Sequence, residues 1–129
     1  MRIIKSLNDL NLPNKYLNFL RVYLDNLSKI YSIDLVILFG SCARGSIHEH
    51  SDIDLMVIGN DISSEDETSI YFECVPDVSF SDYINTDVIV CDHERYDKYK
   101  TQVGYVQRHV ENYGIDLTSY FNNLRGVII

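Results

Sequence analysis

The chain has 129 residues, a formal net charge of −8, and eleven Lys and Arg residues scattered without a dense run. That balance argues against a long free nucleic acid as substrate, because chains that grip phosphates carry a basic patch; it suits solubility or a basic protein partner. Apolar content of 46 %, with ten Tyr and five Phe, supports one ordered domain over residues 1–129 and excludes wholesale disorder.

The three cysteines, Cys42, Cys74 and Cys91, are odd in number and widely spaced. That fits reduced thiols in a cytoplasm better than a disulfide framework or a zinc cluster. No apolar run reaches membrane-spanning length. Asn8, Asp9 and Asn11 interrupt the stretch where a signal peptide needs its apolar core. The expectation is a cytoplasmic protein with no membrane partner.

In chain order, Leu17, Leu20, Tyr23, Leu24, Leu27 and Ile30 recur at helical spacing, and Pro13 stands where a helix can begin. A helix is predicted from about Pro13 to Tyr31. Asp34 to Phe39 is a short apolar run rich in β-formers, hence a buried strand that Gly40 ends. A helical turn over Ser41 to Arg44 and a polar loop over Gly45 to Ser51 follow. Asp52 to Gly59 reads as a second strand. Ser64 with Glu67 makes a capping-box pattern, opening a helix from about Glu65 to Cys74 that Pro76 stops.

Asp77 to Asn85 has no clear pattern. Thr86 to Cys91 is a third strand. Asp92 caps a helix from about His93 to Asn112, which Gly114 closes; Tyr96, Tyr99, Val103, Val106 and Val110 form its packing face. Ile115 to Tyr120 is ambiguous. The tail, Gly126-Val127-Ile128-Ile129, is apolar and needs a cover from this chain or another. The expected fold is α/β (α+β), a small mixed sheet of three or more strands flanked by helices.

The chemistry concentrates between Leu38 and Val57. Asp52 and Asp54 are two apart on a predicted strand, so both carboxylates leave one face with origins about 6.5–7 Å apart. Ile53 and Leu55 point into the core. Two neighbouring acids are unfavourable without a positive charge between them, and magnesium is commonly held by one or two carboxylates plus substrate phosphates. Taken alone, Asp-x-Asp also suits a solvated strand end. Gly40 and Ser41 follow a buried strand, where glycine permits close approach and the amides of a helical turn face an anion; alone, they suit an ordinary turn. The information lies in the combination of strand, Gly-Ser, ten residues and Asp-x-Asp. Asp87 opens the third strand and is either a third member of the site or an acid facing water.

Gly40-Ser41, the ten residues to Asp52, and Asp54 resemble the signature of the DNA polymerase β-type nucleotidyltransferase superfamily. Ser41-Cys42-Ala43-Arg44-Gly45 and Ser51-Asp52-Ile53-Asp54-Leu55 are similar to its minimal branch, which includes antitoxins paired with HEPN-domain ribonuclease toxins. The resemblance covers about Asp34 to Val90. It implies that Asp52 and Asp54 bind two Mg2+ ions with the triphosphate. It also implies that Asp87 completes one metal site and helps activate the acceptor hydroxyl, and that Gly40 and Ser41 hold the triphosphate. Arg44 either contacts phosphate or fixes the loop through an ion pair. Cys42 fills a variable position and receives no chemistry. His48, Glu49 and His50 read as a solvated loop, and His93 and His109 as surface residues; Tyr71 and Tyr113 have no assignable role.

The resulting expectation is adenylylation: AMP is moved from ATP to an acceptor hydroxyl on a HEPN-type toxin. The chain leaves little length for an acceptor-binding domain. The competing readings are an antibiotic-modifying transferase acting on a small molecule, and a non-catalytic module that neutralises a partner by covering it.

Overall fold

The computed structural model describes residues 1–124 and Gly126; the apolar tail Val127–Ile129 lies outside them. Its centre is a five-stranded mixed sheet. The strands are β1 (Arg2–Ile3), β2 (Leu35–Phe39), β3 (Ile53–Ile58), β4 (Thr86–Cys91) and β5 (Ile115–Asp116). Their order is β1-β5-β2-β3-β4. β2 lies antiparallel to β3 and to β5, whereas β3 and β4 run parallel, as do β1 and β5.

The helices are α1 (Asn14–Ile30), α2 (Ser41–Arg44), α3 (Glu67–Cys74), α4 (His93–Tyr99), α5 (Val106–Tyr113) and α6 (Thr118–Leu124). The apolar stripe of α1 is buried through Leu17, Leu20, Tyr23, Leu24 and Leu27, but Ile30 at its end is exposed. This stripe meets one face of the sheet, presented by Val36, Leu38, Ile53, Leu55, Val57 and Val90, with Ile70 and Cys74 of α3 and Phe121 of α6. The opposite face presents Ile37, Met56, Ile58 and Cys91 to Tyr96 of α4 and Val110 of α5. No described helix is long and apolar enough to cross a membrane.

Three expectations change. The predicted helix over 93–112 is two helices separated by Lys100–Tyr105, with Gly104 at φ +93°. The break lets the two short helices bind each other: the Arg108 guanidinium donates to the Thr101 carbonyl at 3.0 Å, and the Tyr96 hydroxyl donates to the Glu111 carboxylate. Val103 is therefore exposed at the bend and not packed. The cap near Ser64 lies one residue earlier. Ser63 Oγ accepts from the Glu65 amide, and the Asp66 carboxylate accepts from the Ser63 amide, over a 3-10 turn at Ser64–Asp66. Glu67 turns to the sheet, where its carboxylate accepts the Val90 amide at 2.9 Å. That satisfies an otherwise open donor on the edge strand β4. Finally, the ambiguous 115–120 segment supplies β5 and the start of α6, and β1 adds a short edge strand beside β5.

Candidate active site

Register brings the acids together. β2 and β3 pair Phe39 with Asp54, and β3 and β4 pair Asp54 with Asp87. Partners across a sheet share a face, as do residues two apart on one strand. Asp54 and Asp87 therefore emerge side by side, on the face that carries Met56 and Ile58 further up the strand, and Asp52 stands just before β3 begins, near enough for its charge to act on Asp54. Asp54 is half-buried and Asp87 is exposed.

Gly40 closes the other side. It links β2 to α2 with φ +73° and ψ −155°, and a Cβ there would lie 2.3 Å from Asp54 Oδ2. Only a residue without a side chain accommodates both the backbone angle and the carboxylate. The Gly40 carbonyl accepts from the Ala43 and Arg44 amides, which folds the chain into α2 directly after the bend. Ser41, the first residue of that helix, is half-buried beside it. Arg44 is exposed, and among the described residues it forms no ion pair.

The electrostatics follow from this crowding. Burial, then the charges of Asp87 and Asp52, push the Asp54 carboxyl up to about 6. Burial, then the charges of Asp54 and Asp52, push the Cys42 thiol up to about 11. A group raised in this way by like charges gains by admitting a cation. Among the described residues, no three His, Cys, Asp or Glu side chains converge tightly enough to enclose a metal ion by themselves. An oxygen-only donor set open to solvent on one side nevertheless fits magnesium, which retains water and commonly shares carboxylates with substrate phosphates.

Two supporting residues carried no signal at the level of sequence. The buried Tyr16 hydroxyl donates to the Ser51 carbonyl at 2.6 Å, tying α1 to the residue before Asp52. Ser51 Oγ in turn accepts the His48 amide at 2.8 Å. Cys42, buried in α2, donates its thiol to the Asp52 carbonyl at 3.2 Å and so ties α2 to the entry of β3. Both pairings span the 41–51 loop or more, and no local periodicity encodes them. His48, Glu49 and His50 are exposed, as expected. His93 bonds Asp34 at 2.8 Å, away from the acids.

Beside Asp52 lies a cleft of about 510 Å3, lined on its outer side by Lys15, His50, Phe80 and Tyr83. Phe80 is 98 % exposed there.

The comparison with known families gives the class of the chain. The nucleotidyltransferase domain family matches residues 20–116, and the chain belongs to that family. The match runs from the middle of α1 to the end of β5 and so includes the whole site. Among solved structures, the chain is similar to a Sulfolobus solfataricus protein whose name proposes a nucleotidyltransferase. The two are 22 % identical with a TM-score of 0.47, over 66 % of this chain and 77 % of that chain. No curated protein matches the chain.

Proposed function

We propose that the chain is a magnesium-dependent nucleotidyltransferase that moves AMP from ATP to a hydroxyl on a partner protein, a HEPN-type toxin that it neutralises as the antitoxin. The observation that carries the transfer reading is the pairing of Asp54 with Asp87, with Asp52 two residues back and Gly40 against the Asp54 carboxylate. Asp52 and Asp54 would hold the Mg2+ ions together with the triphosphate, and Asp87 would add a further carboxylate to that set. Gly40 and Ser41 receive the triphosphate through backbone amides and the Ser hydroxyl, and Arg44 supplies an unpaired cation at its edge. When bound, the metal ions supply positive charge that offsets what builds on the entering and departing oxygens.

The acceptor oxygen forms its bond to the α-phosphorus as the bond from that phosphorus to the bridging oxygen breaks and pyrophosphate leaves. Asp87, the most exposed of the acids, takes the hydroxyl proton. The site contributes mainly by orienting the reactants and by electrostatics already in place.

A protein acceptor, and not a free nucleic acid, is supported by the net charge of −8 and by the open cleft beside Asp52. A cytoplasmic setting is supported by Cys42, Cys74 and Cys91, which are free and buried. ATP as donor and the antitoxin role rest on the family resemblance. The test is the intact mass of a HEPN-type protein encoded beside this chain, after incubation with the chain, ATP and Mg2+. A gain of adenylate that disappears with Asp52→Asn is expected. Tight complex formation with unchanged mass would replace transfer by simple covering.

A further inference from the structure

The site described so far accounts for the phosphates and leaves the rest of the donor unplaced. Phe39 shares the sheet face of Asp54 and is its cross-strand partner, so the aromatic ring starts where the acids stop. From Phe39 a line of rings continues onto α5. The His109 ring lies edge-on at 6.5 Å from Phe39, and Tyr113 lies 5.2 Å beyond His109. His109 and Tyr113 occupy one side of α5, four residues apart, because its other side buries Val110 against Ile37 and Met56.

His109 and Tyr113 border a shallow cavity of about 550 Å3 that also takes in Tyr105, Arg108 and Asn112; Phe39 lies outside its lining and reaches it through the His109 ring. Tyr113 is 60 % exposed, whereas Tyr105, 45 % exposed, already has one face stacked on Tyr99. Phe39 packs on the cluster around Ile37 and Met56, and His109 leans on Phe39, but packing gives no reason for the exposed Tyr113 ring that continues this row. A flat, apolar group tethered to the phosphates does.

We propose that the shelf formed by Phe39, His109 and Tyr113 is the nucleobase platform of the donor triphosphate. This deepens the transferase reading and rests on it. A triphosphate seated between Gly40-Ser41 and the acids directs its nucleoside along the strip that begins at Phe39. Base–aromatic stacking is tolerant of base identity because every base has a π-face. Asn112 and Arg108, at the rim of the cavity, are the polar groups within the lining that face the edge of a base. Arg108 is already held on the Thr101 carbonyl at 3.0 Å, which gives it a fixed position there.

The test uses the full chain, Mg2+ and 2-aminopurine riboside triphosphate, whose fluorescence is quenched by stacking, with inorganic tripolyphosphate as a second ligand followed by calorimetry. Wild type is expected to quench the base. His109→Ala and Tyr113→Ala are each expected to weaken binding of the base analogue about tenfold, which is ~1.4 kcal/mol, while tripolyphosphate binds as in wild type. Tyr113→Phe retains the quench. Asp54→Asn weakens both ligands together. If the alanine variants quench and bind as wild type does, or lose tripolyphosphate as strongly as the base analogue, the platform is wrong and the transferase reading stands. If wild type binds neither ligand, the transferase reading falls and the platform falls with it. Because Tyr113 is largely exposed, its substitution leaves the fold intact, and His109→Ala provides the independent second variant.

Discussion

On one face of the sheet Val36, Leu38, Ile53, Leu55 and Val57 are sealed beneath α1, α3 and α6, without a charged side chain among them. On the other face the same strands bury Ile37, Met56 and Ile58 under α4 and α5, yet one pairing further along they carry the half-buried Phe39 and Asp54 and the exposed Asp87. The difference shows how one strand serves both purposes. β3 alternates between a closed core and a half-open face, and the open part begins where carboxylates would otherwise have to be buried without a partner. Neighbouring carboxylates have an unfavourable mutual energy, which the closed face offsets by packing.

The closed face gives the largest expected effect. Phe121→Ala empties a fully buried ring site and is expected to destabilise the chain by about 3–5 kcal/mol in urea or thermal unfolding. The open face behaves differently. Gly40→Ala forces a Cβ into a left-handed backbone position and onto Asp54 Oδ2. A destabilisation of about 1–3 kcal/mol is expected from the backbone strain, together with loss of triphosphate binding, read by calorimetry.

Asp54→Asn is expected to go the other way. The folded-state pKa of Asp54 is raised from 3.8 to about 6. The folded chain therefore binds this proton more tightly than the unfolded chain does. Its ionisation is neutral to stability below about pH 4 and destabilising by the time pH has risen through about 6. In metal-free buffer at pH 8 the Asn variant should be more stable than wild type, by about 1 kcal/mol once solvent screening of this half-exposed group is discounted, with the advantage vanishing near pH 4. Melting curves at both pH values check this, and an Asn variant less stable than wild type at pH 8 would reverse the sign. The smallest effect is expected at the seam between the faces. Tyr16→Phe removes the hydroxyl that holds the Ser51 carbonyl, at about 1 kcal/mol in unfolding free energy.

The central strands and the acid cluster were legible because their signals are local. Leu35–Phe39 and Thr86–Cys91 are short β-branched runs, and the Gly-Ser to Asp-x-Asp spacing fixes two ends of one site. That Asp87 meets Asp54 depends on the β3–β4 register, a non-local property that the sequence only suggested. β1 and β5 are two residues each, too short for any period to register. The helix over 93–112 was overread because Tyr96, Tyr99, Val103, Val106 and Val110 keep helical spacing across a bend that Gly104 permits. The stacking of Tyr99 on Tyr105 across that bend, with centroids 4.2 Å apart, is a tertiary contact with no sequence period. In the sequence His109 reads as a surface residue and Tyr113 has no assignable role for the same reason: their relation to Phe39 exists only once α5 lies on the sheet.

The most direct measurement is the rise in melting temperature caused by Mg2+ with a non-hydrolysable ATP analogue, compared between wild type and Asp87→Asn, the acid contributed by the separate strand. Ligand binding to the folded state alone raises stability with ligand concentration. If the acids act as one cradle, wild type gains stability and Asp87→Asn loses most of that gain. A variant that keeps the full increase would show that Asp87 stands outside the site.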